Sequence, residues 1–132
     1  MHIYVTPCCK EKDLSPGSIP AIQRYLSPRI AWVYAQSQQH HLPMRILSGR
    51  FGLLAPEECI PYYDYPLISL AEVPSLLPTI IKRLEQETVT RVTFYARPRQ
   101  TPGWEPYYQV LELACRNLII NFQRVQMQND HF

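Results

Sequence analysis

The strongest constraint on this chain is the order in which two kinds of apolar segment alternate along it. Ile3-Tyr4-Val5-Thr6 is a short β-branched and aromatic run stopped by Pro7, the composition of a buried strand that ends in a loop. Ala21 to Tyr25 predicts a short helix. Ser27-Pro28 then supplies an N-cap and a first-turn proline for a longer helix running to about His40, with Ile30, Val33 and Tyr34 as apolar positions. After the Leu42-Pro43 break, Met44, Ile46 and Leu47 read as a second strand ending at Ser48-Gly49. Leu76, Leu77, Ile80, Ile81 and Leu84 keep helical spacing to about Glu87. Ser69-x-x-Glu72 ahead of them has the spacing of a capping box, while Pro74 and Pro78 leave open whether that helix begins there or at Ser75. Thr90 to Tyr95 is a third strand, Pro106 opens a last helix through Leu111, Leu113 and Ala114, and Leu118 to Val125 offers a fourth strand.

Strands that alternate with helices in this way pair in parallel, because a helical connection brings the chain back to the same end of the sheet. The expected fold is a single three-layer α/β domain over residues 1–126, with about four mostly parallel strands, helices on both faces, and 127–132 as a mobile C-terminal tail. A chain of 132 residues suits one such domain and buries roughly two-thirds of the surface its unfolded form exposes. Arg50 to Ile68 holds three prolines and three tyrosines with few regular signals, and reads as a long ordered loop. Loops of that length in compact domains are often functional.

No apolar run reaches the ~18 residues that a membrane span requires. Met1 to Val5 lacks the basic and long apolar regions of a secretion signal, so no membrane partner and a cytoplasmic location are expected. Cys8 and Cys9 are adjacent, and Cys59 and Cys115 lie far apart without paired spacing, which fits four reduced thiols better than a disulfide framework. The same spacing gives no support for a zinc site, and no metal or other cofactor is expected. The formal charge of +2 is too small to announce nucleic-acid binding alone. Ten of the 13 basic residues are arginines, which grip carboxylates and phosphates through a planar fork and serve surface salt bridges equally well.

In a parallel sheet, ligands collect at the carboxyl ends of the strands, where loops and helix N-termini converge. Strand one delivers Cys8, Cys9, Lys10 and Lys12 to that edge, strand two delivers Ser48, Gly49 and Arg50, and strand three delivers Tyr95, Arg97 and Arg99. Five cations at one edge form a candidate anion site, whereas Lys10-Glu11-Lys12-Asp13 alone reads equally as a solvated charge run. Cys8 is a candidate nucleophile if Lys10 and Lys12 favour its thiolate, and a buried inert thiol otherwise. No histidine falls on this edge to serve as its base. Asp64 is a candidate general base or a partner that orients Arg50, with closure of a turn before Pro66 as the structural alternative. Gly49 and Gly52 would let the backbone approach a ligand. Tyr62, Tyr63, Tyr65 and Trp104 are candidates for stacking on a base, or for packing their loops. One cleft is expected at the ends of strands one and two, bringing together Cys8, Lys10, Ser48, Arg50 and Asp64, with Lys12, Gly49, Gly52, Tyr62 and Arg97 as further ligand contacts.

Leu47-Ser48-Gly49-Arg50-Phe51-Gly52-Leu53-Leu54-Ala55-Pro56, followed by Ile60-Pro61-Tyr62-Tyr63-Asp64, resembles the signature of a bacterial, archaeal and phage domain family of unknown function. The Cys8-x-Lys10-x-Lys12 loop and Pro20 to Pro28 are similar to that family's amino-terminal half, so the likeness spans roughly residues 3 to 68. A shorter version of the motif resembles the YaaA family of peroxide-stress proteins, and more distantly the uracil-DNA glycosylase fold. The resemblance implies an anionic ligand of nucleotide or nucleic-acid type and carries no water-activating glycosylase motif. Two functions follow from different classes: a small enzyme acting on a nucleotide or nucleic-acid component, and a non-catalytic stress-response module that holds nucleic acid or a partner in the same cleft.

Overall fold

In the computed structural model, residues 1–64 and 68–127 are described. Five strands form one mixed sheet: β1 (His2–Pro7), β3 (Met44–Ser48), β4 (Gly52–Leu54), β6 (Arg91–Ala96) and β7 (Asn121–Gln126). Their order across the sheet is β4-β3-β1-β6-β7. The four long strands are mutually parallel, with Tyr4 opposite Met44 on one side of β1 and opposite Thr93 on the other. β4 is antiparallel and caps one edge, Ser48 standing opposite Gly52. The expected α/β architecture is present, with one strand more in the main sheet than the periodicity revealed.

Helices cover both faces. α2 (Pro28–Gln39) lies on the face presented by Tyr4 and Tyr95, where Trp32 meets the Tyr95 ring edge-on and Nδ1 of His40, just past the helix, lies 2.8 Å from the Tyr4 hydroxyl. α4 (Glu105–Asn117) lies on the opposite face, where Tyr108 meets Phe94 edge-on. α3 (Val73–Gln86) packs beside α4 and against β4. The alternation of side chains along β6 explains this division, since Phe94 and Tyr95 must point to opposite faces. Ile3, Val5, Ile46, Leu47, Val92 and Phe94 are fully buried and form the centre of the core.

The helix starts follow their sequence signals. Ser27 Oγ accepts the Ile30 N–H at 3.3 Å, with Pro28 in the first turn. Glu72 reaches back to the Ser69 N–H at 3.0 Å, but the capping box heads a 3₁₀ turn over Leu70–Glu72 that runs directly into α3, and Pro78 is carried inside that helix.

One expectation is corrected. The segment read as one long loop contains β4 and β5 (Cys59–Pro61), the latter paired antiparallel with β2 (Ser18–Pro20). Three-residue strands are too short to display a period, and Gly52 at φ +78° makes the tight reversal from β3 into β4. At the carboxyl end Gln126, the last residue of the expected domain, closes β7, and Met127, the first residue of the expected tail, is buried with its N–H on the Ala96 carbonyl at 2.8 Å. The rest of that tail lies outside the described residues.

A buried cation organises the amino-terminal loop. Arg24, in α1 (Ala21–Arg24), is wholly buried, and its guanidinium donates to the carbonyls of Asp13 (2.7 Å), Ser15 (2.8 Å), Gly17 (2.6 Å) and Ile60 (3.2 Å). It thereby ties the loop after β1 to β5. Replacing it would strand four acceptors, each charge-assisted bond being worth about 1.5–3 kcal/mol. Arg24→Met is expected to lower the unfolding free energy by about 3 kcal/mol or more in urea titrations, and a loss below about 1 kcal/mol would show that the loop is held by other means.

Candidate functional site

The strand order fixes where a ligand would meet the sheet. The chain leaves β1 toward β3 on one side and leaves β6 toward β7 on the other, so the winding reverses between β1 and β6. At such a reversal the two following connections part to opposite faces and leave a crevice beyond the carboxyl ends of the strands. A cleft of about 320 Å³ lies there. Pro7, Cys8 and Cys9 at the end of β1 and Arg97 after β6 form its floor, Ser27 to Arg29 at the start of α2 one wall, and Trp104 and Tyr107 at the start of α4 the other. Lys10 and Leu26 border its mouth.

Arg29 dominates the electrostatics. Its side chain is 3% exposed, and Nη1 donates to Thr6 Oγ1 and to the Pro7 carbonyl at 2.6 Å while Nη2 reaches the Cys8 carbonyl at 3.2 Å. The guanidinium also lies over the Trp104 ring, 4.9 Å from its centroid. Among the described residues no carboxylate pairs with it. Burial pushes its pKa down to about 10, and the nearby Arg97 charge acts in the same direction. A buried cation held only by neutral oxygens is stabilised less than one that also faces an anion. The N-termini of α2 and α4, both opening on the cleft, add positive potential of the same sign.

The sequence-derived site residues divide into three groups. Cys8, Lys10 and Arg97 line this cleft. Cys8 is buried with Sγ 3.6 Å from the Tyr107 hydroxyl. Ser48 and Lys12 belong to a cluster behind the cleft: Tyr25 donates to Ser48 Oγ at 3.3 Å and shares a short hydrogen bond with Tyr63, whose hydroxyl is 3.4 Å from Ser48 Oγ. Burial raises the pKa of Tyr25 and of Tyr63, so both are neutral hydroxyls at physiological pH. Ser48 Oγ also accepts the N–H groups of Arg50 (3.2 Å) and Phe51 (3.1 Å), which makes it the anchor of the β3–β4 turn.

Gly49 and Arg50 face a separate depression shared with Ser75 and Thr79 on α3. The close approach at Gly49 is to protein, since a Cβ there would stand 2.3 Å from Ile68 Cγ2. At Gly52 the near neighbour is Thr79. Tyr62 and Asp64 are exposed.

Three expectations therefore change. The single cleft at the ends of strands one and two is replaced by one between β1 and β6, because the third strand, not only the second, pairs with β1. The Arg50–Asp64 pair is not formed: the Arg50 guanidinium lies over the rings of Tyr63 (5.4 Å) and Phe51 (5.5 Å), and Asp64 stays in solvent. The lysines do not converge on Cys8, for Lys12 Nζ lies 4.5 Å from the Tyr63 ring centre and donates to the Lys10 carbonyl at 3.1 Å. Arg99, the fifth expected cation, is consumed by Glu105 at 3.0 Å and Glu112 at 2.6 Å.

Arg29, Trp104 and Tyr107 complete the cleft, and of these the sequence reading had singled out only Trp104. A signal for Arg29 exists: a cation in the first turn of a helix opposes the helix dipole, so Ser27-Pro28-Arg29 breaks a local rule that something else must justify.

Comparison with protein-family models, with curated proteins and with solved structures finds no match for this chain. Among the described residues no group of three or more histidine, cysteine, aspartate or glutamate side chains gathers, and no helix is long and apolar enough to cross a membrane.

All four cysteines are free. Burial pushes the thiols of Cys9 and Cys115 up to about 12. The unfolded chain releases those protons near pH ~8.5, so the folded state holds more protons above that point. Stability from this source is fully present below about pH 8.5 and is lost progressively as the pH rises toward 12. Denaturant titrations at pH 8 and pH 10.5 should show the decline, and Cys115→Ala should make it shallower. An unchanged slope would contradict the assignment.

Proposed function

We propose that the cleft between β1 and β6 binds a nucleotide or a nucleotide-like anion, with the phosphate at Arg29 and Lys10 and the planar base between the apolar surfaces of Leu26 and Pro28 on one side and of Trp104 on the other. The observation that carries this reading is Arg29: a buried guanidinium without a carboxylate partner among the described residues, in a cleft on which two helix N-termini open. A phosphate supplies the charge that the neutral carbonyls lack and can accept from the fork while facing helix N–H groups. The cleft volume of about 320 Å³ stands at the lower end of small-molecule sites, which favours one nucleotide unit over a dinucleotide. The resemblance of Leu47 to Asp64 to the phage and bacterial domain family, and more distantly to YaaA proteins and uracil-DNA glycosylases, agrees with this ligand class.

A catalytic version of the reading rests on Cys8, whose thiol lines the cleft beside the Tyr107 hydroxyl. Cys8→Ser separates the versions: a binding module keeps its function, whereas an enzyme that uses the thiol keeps affinity and loses turnover.

Thermal shift with thymidine 5′-monophosphate, adenosine 5′-monophosphate, the matching nucleosides and inorganic phosphate tests the reading. A monophosphate at 100 times its Kd stabilises the fold by about 2.7 kcal/mol, and nucleosides without phosphate should give much less. Arg29→Lys keeps the charge but loses the fork, and is expected to weaken monophosphate binding about tenfold or more. Absence of any shift with every monophosphate would refute the proposal.

A further inference from the structure

The main sheet ends in two unlike edges. β4 on one side is three residues long and packs against α3. β7 on the other is six residues long and pairs with β6 without a break, from Asn121 opposite Arg91 to Gln126 opposite Ala96. Among the described residues no strand lies on its outer side. The Asn121 N–H reaches the Thr90 carbonyl at 3.1 Å and the Met127 N–H the Ala96 carbonyl at 2.8 Å, so the odd-numbered residues bond inward. Backbone groups alternate along a strand, and the N–H and C=O of Phe122, Arg124 and Gln126 therefore face outward. Proline, lysine and a bulge, the common guards of such an edge, are all absent from Asn121–Gln126. Ile119, two residues ahead of the strand, is 93% exposed at φ +55°, the helix-ending conformation that glycine usually takes. Between the end of α4 and the start of β7 lies a groove of about 250 Å³ lined by Glu112, Cys115, Arg116, Ile120 and Phe122.

We propose that this edge is the interface of a homodimer, in which a second copy of the chain lays its β7 antiparallel to the first about a two-fold axis at Gln123 and joins the two sheets edge to edge. Any extended segment satisfies the outward backbone groups, so the side chains must select the occupant. A two-fold axis fixes which residues stand opposite, and opposite residues share a face of the sheet. Two central axes leave most of β7 paired. An axis at Arg124 sets that guanidinium against its own copy, a like-charge pair that opposes association. An axis at Gln123 sets Arg124 opposite Phe122 of the second copy, Asn121 opposite Val125, and the Gln123 amide, both donor and acceptor, opposite itself. Phe122 and Arg124 both face outward, so each such pair exchanges its N–H···O bonds. β7 thereby carries both halves of its own cross-strand contact, which points to a second copy and not to an unrelated strand. Within one chain Arg124 has no acidic partner among the described residues and lies 6.0 Å from the Tyr108 ring centre. Across the axis it meets a Phe122 ring and the groove beside it, where Glu112, bonded to Arg99 at 2.6 Å, has lone pairs left for a further donor. Arg99 serves both Glu105 and Glu112, so with the exposed Arg116 the groove is close to neutral and does not repel the entering cation. The same register places Gln126 of the second copy opposite Ile120, beside the exposed Ile119. The charge on this edge thus selects a register and does not forbid the pairing.

No residue of β7 lines the cleft, so the interface is tested independently of what the cleft binds. Analytical ultracentrifugation of the intact chain over about a hundredfold range of concentration is the direct test, since a dimer's population follows mass action. A reversible equilibrium between 15.5 kDa and twice that mass is expected, and a 15.5 kDa species alone at every concentration would overturn the proposal. Hydrogen exchange locates the contact. The Phe122 and Arg124 amides should gain protection as the concentration rises, and a dimer that leaves both unprotected is built elsewhere and equally overturns it. Arg124→Pro removes an outward N–H and none of the bonds to β6, and should raise the dimer dissociation constant by about tenfold or more. An unchanged constant in that variant counts against the edge. Arg124→Ala decides the axis: the dimer weakens if Arg124 faces Phe122, whereas an unchanged or tighter dimer contradicts the register at Gln123. The two measurements on the unaltered chain decide the interface even if Arg124→Pro fails to fold.

Discussion

The guanidinium of Arg29 joins the sheet, one helix and the cleft in a single set of contacts. It gathers the Thr6 hydroxyl and the carbonyls of Pro7 and Cys8, the groups through which β1 leaves the sheet, and lies over Trp104 at the start of α4. Those carbonyls stand where β1 ends, past its last pairing with β6 at Val5 and Phe94, and backbone acceptors there need other donors. Arg29 supplies them from the first turn of α2, at the helix end where a cation is electrostatically disfavoured. Desolvation and the helix field both act against the charge, and burial accordingly lowers its pKa to about 10. The side chain is retained in a position whose electrostatic strain an anion would relieve.

Topology explains why this happens at β1 and not elsewhere. β1 is the central strand, and the direction of winding reverses between it and β6, so α2 and α4 start on opposite sides of the same crevice. Behind the crevice, Ser48 and the hydroxyls of Tyr25 and Tyr63 close the β3–β4 turn, and Arg24 ties down the loop after β1. Rigid surroundings of this kind hold a site's donors in position before a ligand arrives, which keeps the ordering cost of binding small.

The alternation of segments was legible because it depends on local periodicity: Ile3 to Thr6, the Ser27-Pro28 start and the Leu76 to Leu84 helix all declare themselves within a few residues. Strand order depends on which distant segments pair, and nothing local in Thr90 to Tyr95 states that this strand lies against β1. That one missing fact moved the expected cleft from the β1–β3 side to the β1–β6 side. The expected Arg50–Asp64 pair, read from their place in one long loop, is replaced by the packing of Arg50 on Tyr63 and Phe51. Cys8, Lys10 and Arg97 were found because the carboxyl-edge rule needs only the ends of strands. Tyr25 and Tyr107 were missed since a buried tyrosine on an apolar helix face looks like ordinary core until its hydroxyl partner is known.

Binding in the cleft requires an anion to meet Arg29. Nuclear magnetic resonance of the arginine Nε–H and tryptophan indole N–H groups during titration with thymidine 5′-monophosphate reads that contact directly. Binding there is expected to give saturable shifts of the Arg29 and Trp104 signals with one common Kd, while Trp32, packed edge-on against Tyr95 and outside the cleft lining, stays in place. Shifts confined to Arg50, or an Arg29 signal that does not move at saturation, would contradict it.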